Sequence, residues 1–209
     1  MRIPPLAAVL PVRPAGVLLA SVLLAGVLLA GVAACAATPP SGPDPGPGGP
    51  AAQPESGVDR SAAVYSAVLR RYLTTRDHSF GDGHRFGTVY VLDHSVAGAA
   101  DPMRTTESGD RQPIPPDSQH AIVRALADIG AVEFVADRDD VVESGNGCER
   151  VRGEAVLVTL GPVPAQGDRV EVGVHGFVAC LAATWMTYVA QRGASGWEVT
   201  GTTGPVAIS

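Results

Sequence analysis

Apolar positions fall into three regimes along this 209-residue chain. From Ala15 to Ala34 they run on unbroken, with 20 consecutive residues that carry no charge. From Ala37 to about Gly57 they almost disappear, and Pro and Gly dominate the stretch ATPPSGPDPGPGGPAAQPESG. Such a segment cannot build a core and reads as a linker. From Asp59 onward apolar residues recur at the spacings of helices and strands. Tyr65, Val68, Leu69 and Tyr72 form a stripe at helical spacing, with Arg70, Arg71 and Thr74 on the solvated side and Asp59 or Ser61 as the cap. Thr75 to Phe86 reads as a polar loop, Thr88–Leu92 as a strand and Asp93 to Pro116 as loop. A second helix is expected from Asp117 or Ser118, with Ile122, Leu126 and Ile129 facing inward and Gly130 at its stop. A short strand follows at Val132 to Val135.

The last third has strand character throughout. Ala155 to Val163 is apolar, and the turn Pro164–Asp168 leads into Val170, Val172 and Val174, which alternate with Glu171, Gly173 and His175. Gly176 suggests a bulge or bend before a stretch from Phe177 to Gln191. The turn Arg192–Gly196 then opens a final strand with Trp197 and Val199 inward. Strands joined by tight turns make an antiparallel sheet, and helices on one face make the class α+β: two helices packed on a curved antiparallel sheet. The expected organisation is a leader at 1–34, a tether at 35–57 and a single α+β domain at 58–209, whose size suits one core.

The order helix, strand, helix and long meander, closing on Gly196-Trp197-Glu198-Val199, resembles nuclear-transport-factor-2-like domains over about Glu154 to Thr200. That resemblance implies a curved sheet wrapped as a cone around an apolar cavity. It implies no particular activity, because the fold hosts many.

The N-terminal pattern resembles a different family. Arg2 and Arg13 are the only charges before the apolar run, which ends in Val32-Ala33-Ala34-Cys35. A positive start, an apolar stretch and small residues before a cut make an export signal. Large aliphatic, small, small, Cys is similar to the lipobox of bacterial lipoproteins. The resemblance implies that Cys35 takes a diacylglyceryl group and becomes the first residue of the mature protein, held at the extracytoplasmic face of the cell membrane. The run is also long enough for an uncleaved anchor, and an ordinary signal could be cut after Ala34. Only the lipobox accounts for the position of the cysteine as well as the length. No Arg-Arg pair precedes the run, so the general secretory route is expected.

Charge narrows the partners. All 15 basic residues are arginine, and the absence of lysine beside abundant Ala, Gly and Pro is similar to chains from high-GC, actinomycete-like bacteria. Without Arg2 and Arg13, the remaining 13 arginines stand against 21 acids, a net charge of −8. That balance argues against nucleic acid and gives no grip on anionic lipid, so the membrane contact is expected from lipid on Cys35. Three cysteines are an odd number for an exported chain. With Cys35 acylated, Cys148 and Cys180 are left to form a disulfide, the alternative being two buried thiols.

Candidate chemistry is sparse. The loop Asp77-His78-Ser79-Phe80-Gly81-Asp82-Gly83-His84 holds two His and two Asp, yet matches no metal spacing. Asp93-His94 could be an oriented imidazole pair, but neighbours on a strand point to opposite faces, which speaks against direct contact. Asp137-Arg138-Asp139-Asp140 has Val142 where a calcium loop needs Gly, and reads as an acidic turn. His175 is expected to face outward. Trp185, Tyr188 and Trp197 could line a pocket but suit a core. No metal and no cofactor is implied. The leading expectation is a non-enzymatic domain that binds an unidentified protein or small ligand. The alternative is a small enzyme or apolar-ligand binder with a cone-shaped cavity and His78, His84 or His94 as its acid–base group.

Overall fold

A computed structural model of the chain describes residues 56–75, 80, 85–104 and 110–209. Cys35, His78 and His84 lie outside these residues. The first helix, α1 (Gly57–Thr74), buries Val64, Tyr65, Val68, Leu69 and Tyr72, the stripe expected from their spacing. It starts ahead of Asp59, and the Ser56 carbonyl accepts the Arg60 N–H at 2.9 Å. Strand β1 (Thr88–Leu92) has the expected bounds. Beyond it the stretch expected as loop contains β2 (His94–Val96) and β3 (Arg111–Pro113), which pair antiparallel as a separate ribbon.

Helix α2 (Pro116–Ala125) begins without a side-chain cap. Pro116 stands in the first turn, where its fixed φ suits the helix and its missing N–H costs nothing. Ser118, a cap candidate by sequence, is buried inside α2, and its Oγ donates to the Val58 carbonyl of α1 at 3.1 Å. Next come β4 (Ala131–Val135), a 3₁₀ turn at Arg138–Asp140, and the hairpin β5 (Val142–Gly145) with β6 (Cys148–Val151). The chain closes with β7 (Ala155–Leu160), β8 (Arg169–Ala179), β9 (Ala182–Gly193) and β10 (Gly196–Ile208).

The architecture is α+β, with helices on a curled sheet ordered β10-β9-β8-β7-β1-β4. The sheet is mixed rather than wholly antiparallel, since β1 runs parallel to both β4 and β7. The cause lies in the connections. β1 reaches β4 through α2, a crossover that returns the chain to the same end of the sheet, whereas the β7–β8 loop and the tight β8–β9 and β9–β10 turns reverse it.

Strand β7 is buried at all six positions, so both faces of the sheet need cover. Val156, Val158 and Leu160 join the helices, Tyr188 and Met186 in the main core. Ala155 and Leu157 join Leu92, Val141, Val151 and Phe177 in a smaller core on the other face, under the β5–β6 hairpin. The hairpin meets β8 through one register pair, Arg150 with Ala179, and is tied there by the Cys148–Cys180 disulfide.

Gly176 lies within the β8 register rather than at a bend; the register shift comes just after it, between Phe177 and Ala179. Its role is to make room, because a Cβ there would stand 1.7 Å from the Tyr72 hydroxyl. The chain reverses at Cys180–Leu181 instead. At the sheet edge, β10 loses register twice, and the second break contains Gly204 (φ +68°) and Pro205.

Two stability outcomes follow from these contacts. Gly176→Ala is expected to cost about 1–3 kcal/mol in urea unfolding, and less when Tyr72→Leu has removed the ring. Equal costs in both backgrounds would refute the contact. Reducing the disulfide, which links residues 32 apart, is expected to lower unfolding free energy by about 3–4 kcal/mol. An unchanged urea midpoint in reductant would count against that constraint.

Candidate functional site

The parallel strands β1 and β4 end side by side, and chains leaving the carboxyl ends of parallel strands commonly frame ligand sites. Asp93 is the hinge. Its N–H donates to Val135 at 2.9 Å, its carbonyl accepts the Ile114 N–H at 2.7 Å, and β1 stops there. The chain then turns into the β2–β3 ribbon. Because Asp93 belongs to neither strand, the rule of alternating faces does not apply across it. His94 Nδ1 lies 2.8 Å from Asp93 Oδ1, so the direct pair that strand geometry spoke against is present.

An ionised carboxylate only accepts, so the Nδ1–H is the donor in this contact. His94 is 9% exposed, and Nε2 is buried with no hydrogen-bond partner. His94 lines a pocket of about 60 Å³ together with Leu92, Arg111, Asp137, Arg138 and Asp139. The run Asp137–Asp140, read as an acidic turn, contributes the 3₁₀ turn that forms one wall. Among the described residues, no group of three or more His, Cys, Asp or Glu side chains could hold a metal ion.

Arg138 connects this pocket with the outer core. It pairs with Glu149 at 2.5 Å, and its guanidinium lies 4.9 Å from the centre of the Phe177 ring. The Arg138 hydrogen bond holds the Glu149 carboxyl below its usual range. His175, expected to face solvent, is instead covered: its ring stacks on Trp185 with centroids 4.7 Å apart. The alternation in β8 places His175 opposite the main core, but that face has a core of its own. Burial, and secondarily the charge of Arg138, pushes the His175 pKa down to about 4.

The aromatic residues do not gather into one pocket wall. Tyr188 is wholly buried in the main core, Trp185 packs on the opposite face, and Trp197 lies under Arg60, whose guanidinium carbon is 4.6 Å from the ring centre. The concave face is filled by Tyr72, Tyr188, Leu69, Ile122, Leu160 and Met186. A second pocket of about 270 Å³ lies toward the other ends of β1 and β4, lined by Leu73, Phe86, Val89 and Ile129. At its rim Arg70 grips Asp128 with two hydrogen bonds of 2.8 and 2.9 Å, which hold the Asp128 carboxyl below its usual range.

His94 was legible in the sequence as a candidate, and Cys148 and Cys180 as a pair. The gathering of Arg111, Asp137 and Asp139 around His94 was not, because it depends on β1 and β4 lying side by side. Comparison with known protein families, with curated proteins and with solved structures finds no match.

The half-buried His175 sets a pH dependence. Its folded pKa of about 4 lies below the ordinary value of 6.5, so the unfolded chain takes up the proton first. This contribution is complete above about pH 6.5 and is lost as pH falls toward 4, on the order of 2–4 kcal/mol in all. Urea melts followed by tryptophan fluorescence are expected to show that loss, and His175→Phe to remove it. An identical pH slope in the variant would exclude His175 as the source.

Proposed function

We propose that the protein is a lipid-tethered extracytoplasmic binding protein. One observation carries the reading: of three cysteines, Cys148 and Cys180 are joined to each other, and the third, Cys35, follows Val32-Ala33-Ala34. The disulfide suits an oxidising compartment, which agrees with an exported domain. In this reading Cys35 bears the diacylglyceryl group, and the Pro/Gly segment after it spaces the domain from the membrane surface. Two acyl chains on one residue meet the requirement for stable anchoring, which a net negative body cannot supply through headgroups. Among the described residues, no helix is long and apolar enough to cross a membrane.

Binding rather than catalysis is favoured by how the domain is filled. Large side chains occupy the concave face, where a cone-shaped cavity would have held an apolar ligand. Among the described residues, pockets open instead at the strand ends, where polar and apolar side chains share the lining. A small enzyme with His94 as its acid–base group is the second reading, and the Asp93–His94 contact is the observation in its favour.

The tether is tested by Cys35→Ala in cells fed labelled fatty acid. Label is expected to vanish from the protein and the domain to leave the membrane fraction. Label that persists would sink the lipid assignment, and an unlabelled variant that still sediments with membranes would point to an uncleaved anchor.

A further inference from the structure

We propose that the Cys148–Cys180 disulfide is a redox latch: its reduction by an external dithiol frees the β5–β6 hairpin from the sheet while the main core stays folded. The first ground is how little else holds the hairpin. β6 shares one register pair with β8, Arg150 with Ala179, and beside it the Cys180 N–H donates to the Glu149 carbonyl at 2.9 Å. The two strands bring Val151 and the half-buried Val142 to the outer core, whereas Ser144, Gly145, Asn146 and Gly147 at the tip are exposed. The Arg138–Glu149 ion pair is partly exposed, and pairs of that kind are screened by water and contribute little. The Arg150–Glu143 pair joins the two strands of the hairpin to each other and not to the sheet.

The second ground is access. Cys180 lies exposed where the chain reverses between β8 and β9, and Cys148 is half-buried at the start of β6. A thiolate reaches such a bond without prior unfolding. Attack at Cys180 breaks the S–S bond, releases Cys148 as a thiolate and leaves Cys180 in a mixed disulfide with the reductant. The second thiol of the reductant then displaces Cys180. Two electrons and two protons pass to the protein as two thiols, and the reductant departs as its own disulfide.

The third ground is that the hairpin can leave alone. Strand β8 keeps its ladder with β7 from Leu157–Phe177 to Leu160–Val174, and its ladder with β9 from Arg169–Gln191 onward. The main core of Tyr72, Leu160, Met186 and Tyr188 takes no side chain from the hairpin. What the hairpin covers is the smaller core, so its release bares Leu157, Phe177 and Trp185. Once detached, a two-stranded hairpin is marginal in water and loses its own ladder. This inference goes beyond the binding reading and does not depend on the lipid at Cys35.

Hydrogen exchange read by mass spectrometry tests the latch, on the full-length protein in detergent before and after dithiothreitol at neutral pH. On reduction the amides of 142–151 are expected to exchange at least about tenfold faster, while those of 156–160 and 170–174 stay protected. Reoxidation is expected to restore the protection. Cys148→Ser combined with Cys180→Ser is expected to show the opened pattern without reductant, and the dithiothreitol comparison decides alone if that variant fails to fold. A bond that resists dithiothreitol would overturn the proposal. So would a hairpin still protected once both thiols can be alkylated, protection lost from β7–β9 together with the hairpin, or protection that does not return on reoxidation.

Discussion

A strand with apolar side chains on both faces cannot be satisfied by one layer of cover, and β7 is such a strand. Its five apolar positions divide between two cores, so the sheet needs a layer on each side. The two helices supply the inner layer, with Tyr72 reaching far enough to require a glycine at 176. The outer layer is thinner. A hairpin of two short strands covers Leu157, Phe177 and the stacked His175–Trp185 pair, and it joins β8 at a single register pair. Hydrogen bonding along the ladder is too limited to hold such a cover, which gives the Cys148–Cys180 bond and the Arg138–Glu149 contact their structural purpose.

The same demand shapes the pocket. To cover the outer face, the chain leaving β4 must cross the strand ends, and in doing so it carries Asp137, Arg138 and Asp139 past His94. Arg138 serves the outer core through Phe177 and Glu149, while its neighbours on either side line the pocket. Packing of the outer core and the wall of the pocket therefore share one short segment, the 3₁₀ turn.

Much of this was legible in local pattern. The helical stripe of Tyr65, Val68, Leu69 and Tyr72, the strand at Thr88–Leu92 and the valine alternation of β8 are set by burial on one side, which sequence periodicity reports directly. The direction of β4 was less visible, although strand, helix, strand is the signature of a parallel crossover. Gly176 misled because a glycine that makes room for Tyr72 looks the same in sequence as one that bends a strand. His175 misled in a similar way, since alternation tells which face a residue takes and not whether that face is covered. The Asp93–His94 contact escaped the alternation rule because the chain changes sheets between those residues.

Strand β10 carries a consequence of another kind. It lies at the end of the sheet, and 13 residues of exposed edge would ordinarily invite another chain to add on. Its ladder is interrupted, and near the end Gly204 turns to positive φ while Pro205 lacks an N–H to offer. An incoming strand could therefore follow only part of the edge before geometry and donors fail together. Val206, within that interruption, and Ile208, beyond it, are both exposed, and the break keeps them from extending a continuous docking rail. The irregularity keeps a long, nearly uncharged edge from becoming a template for self-association.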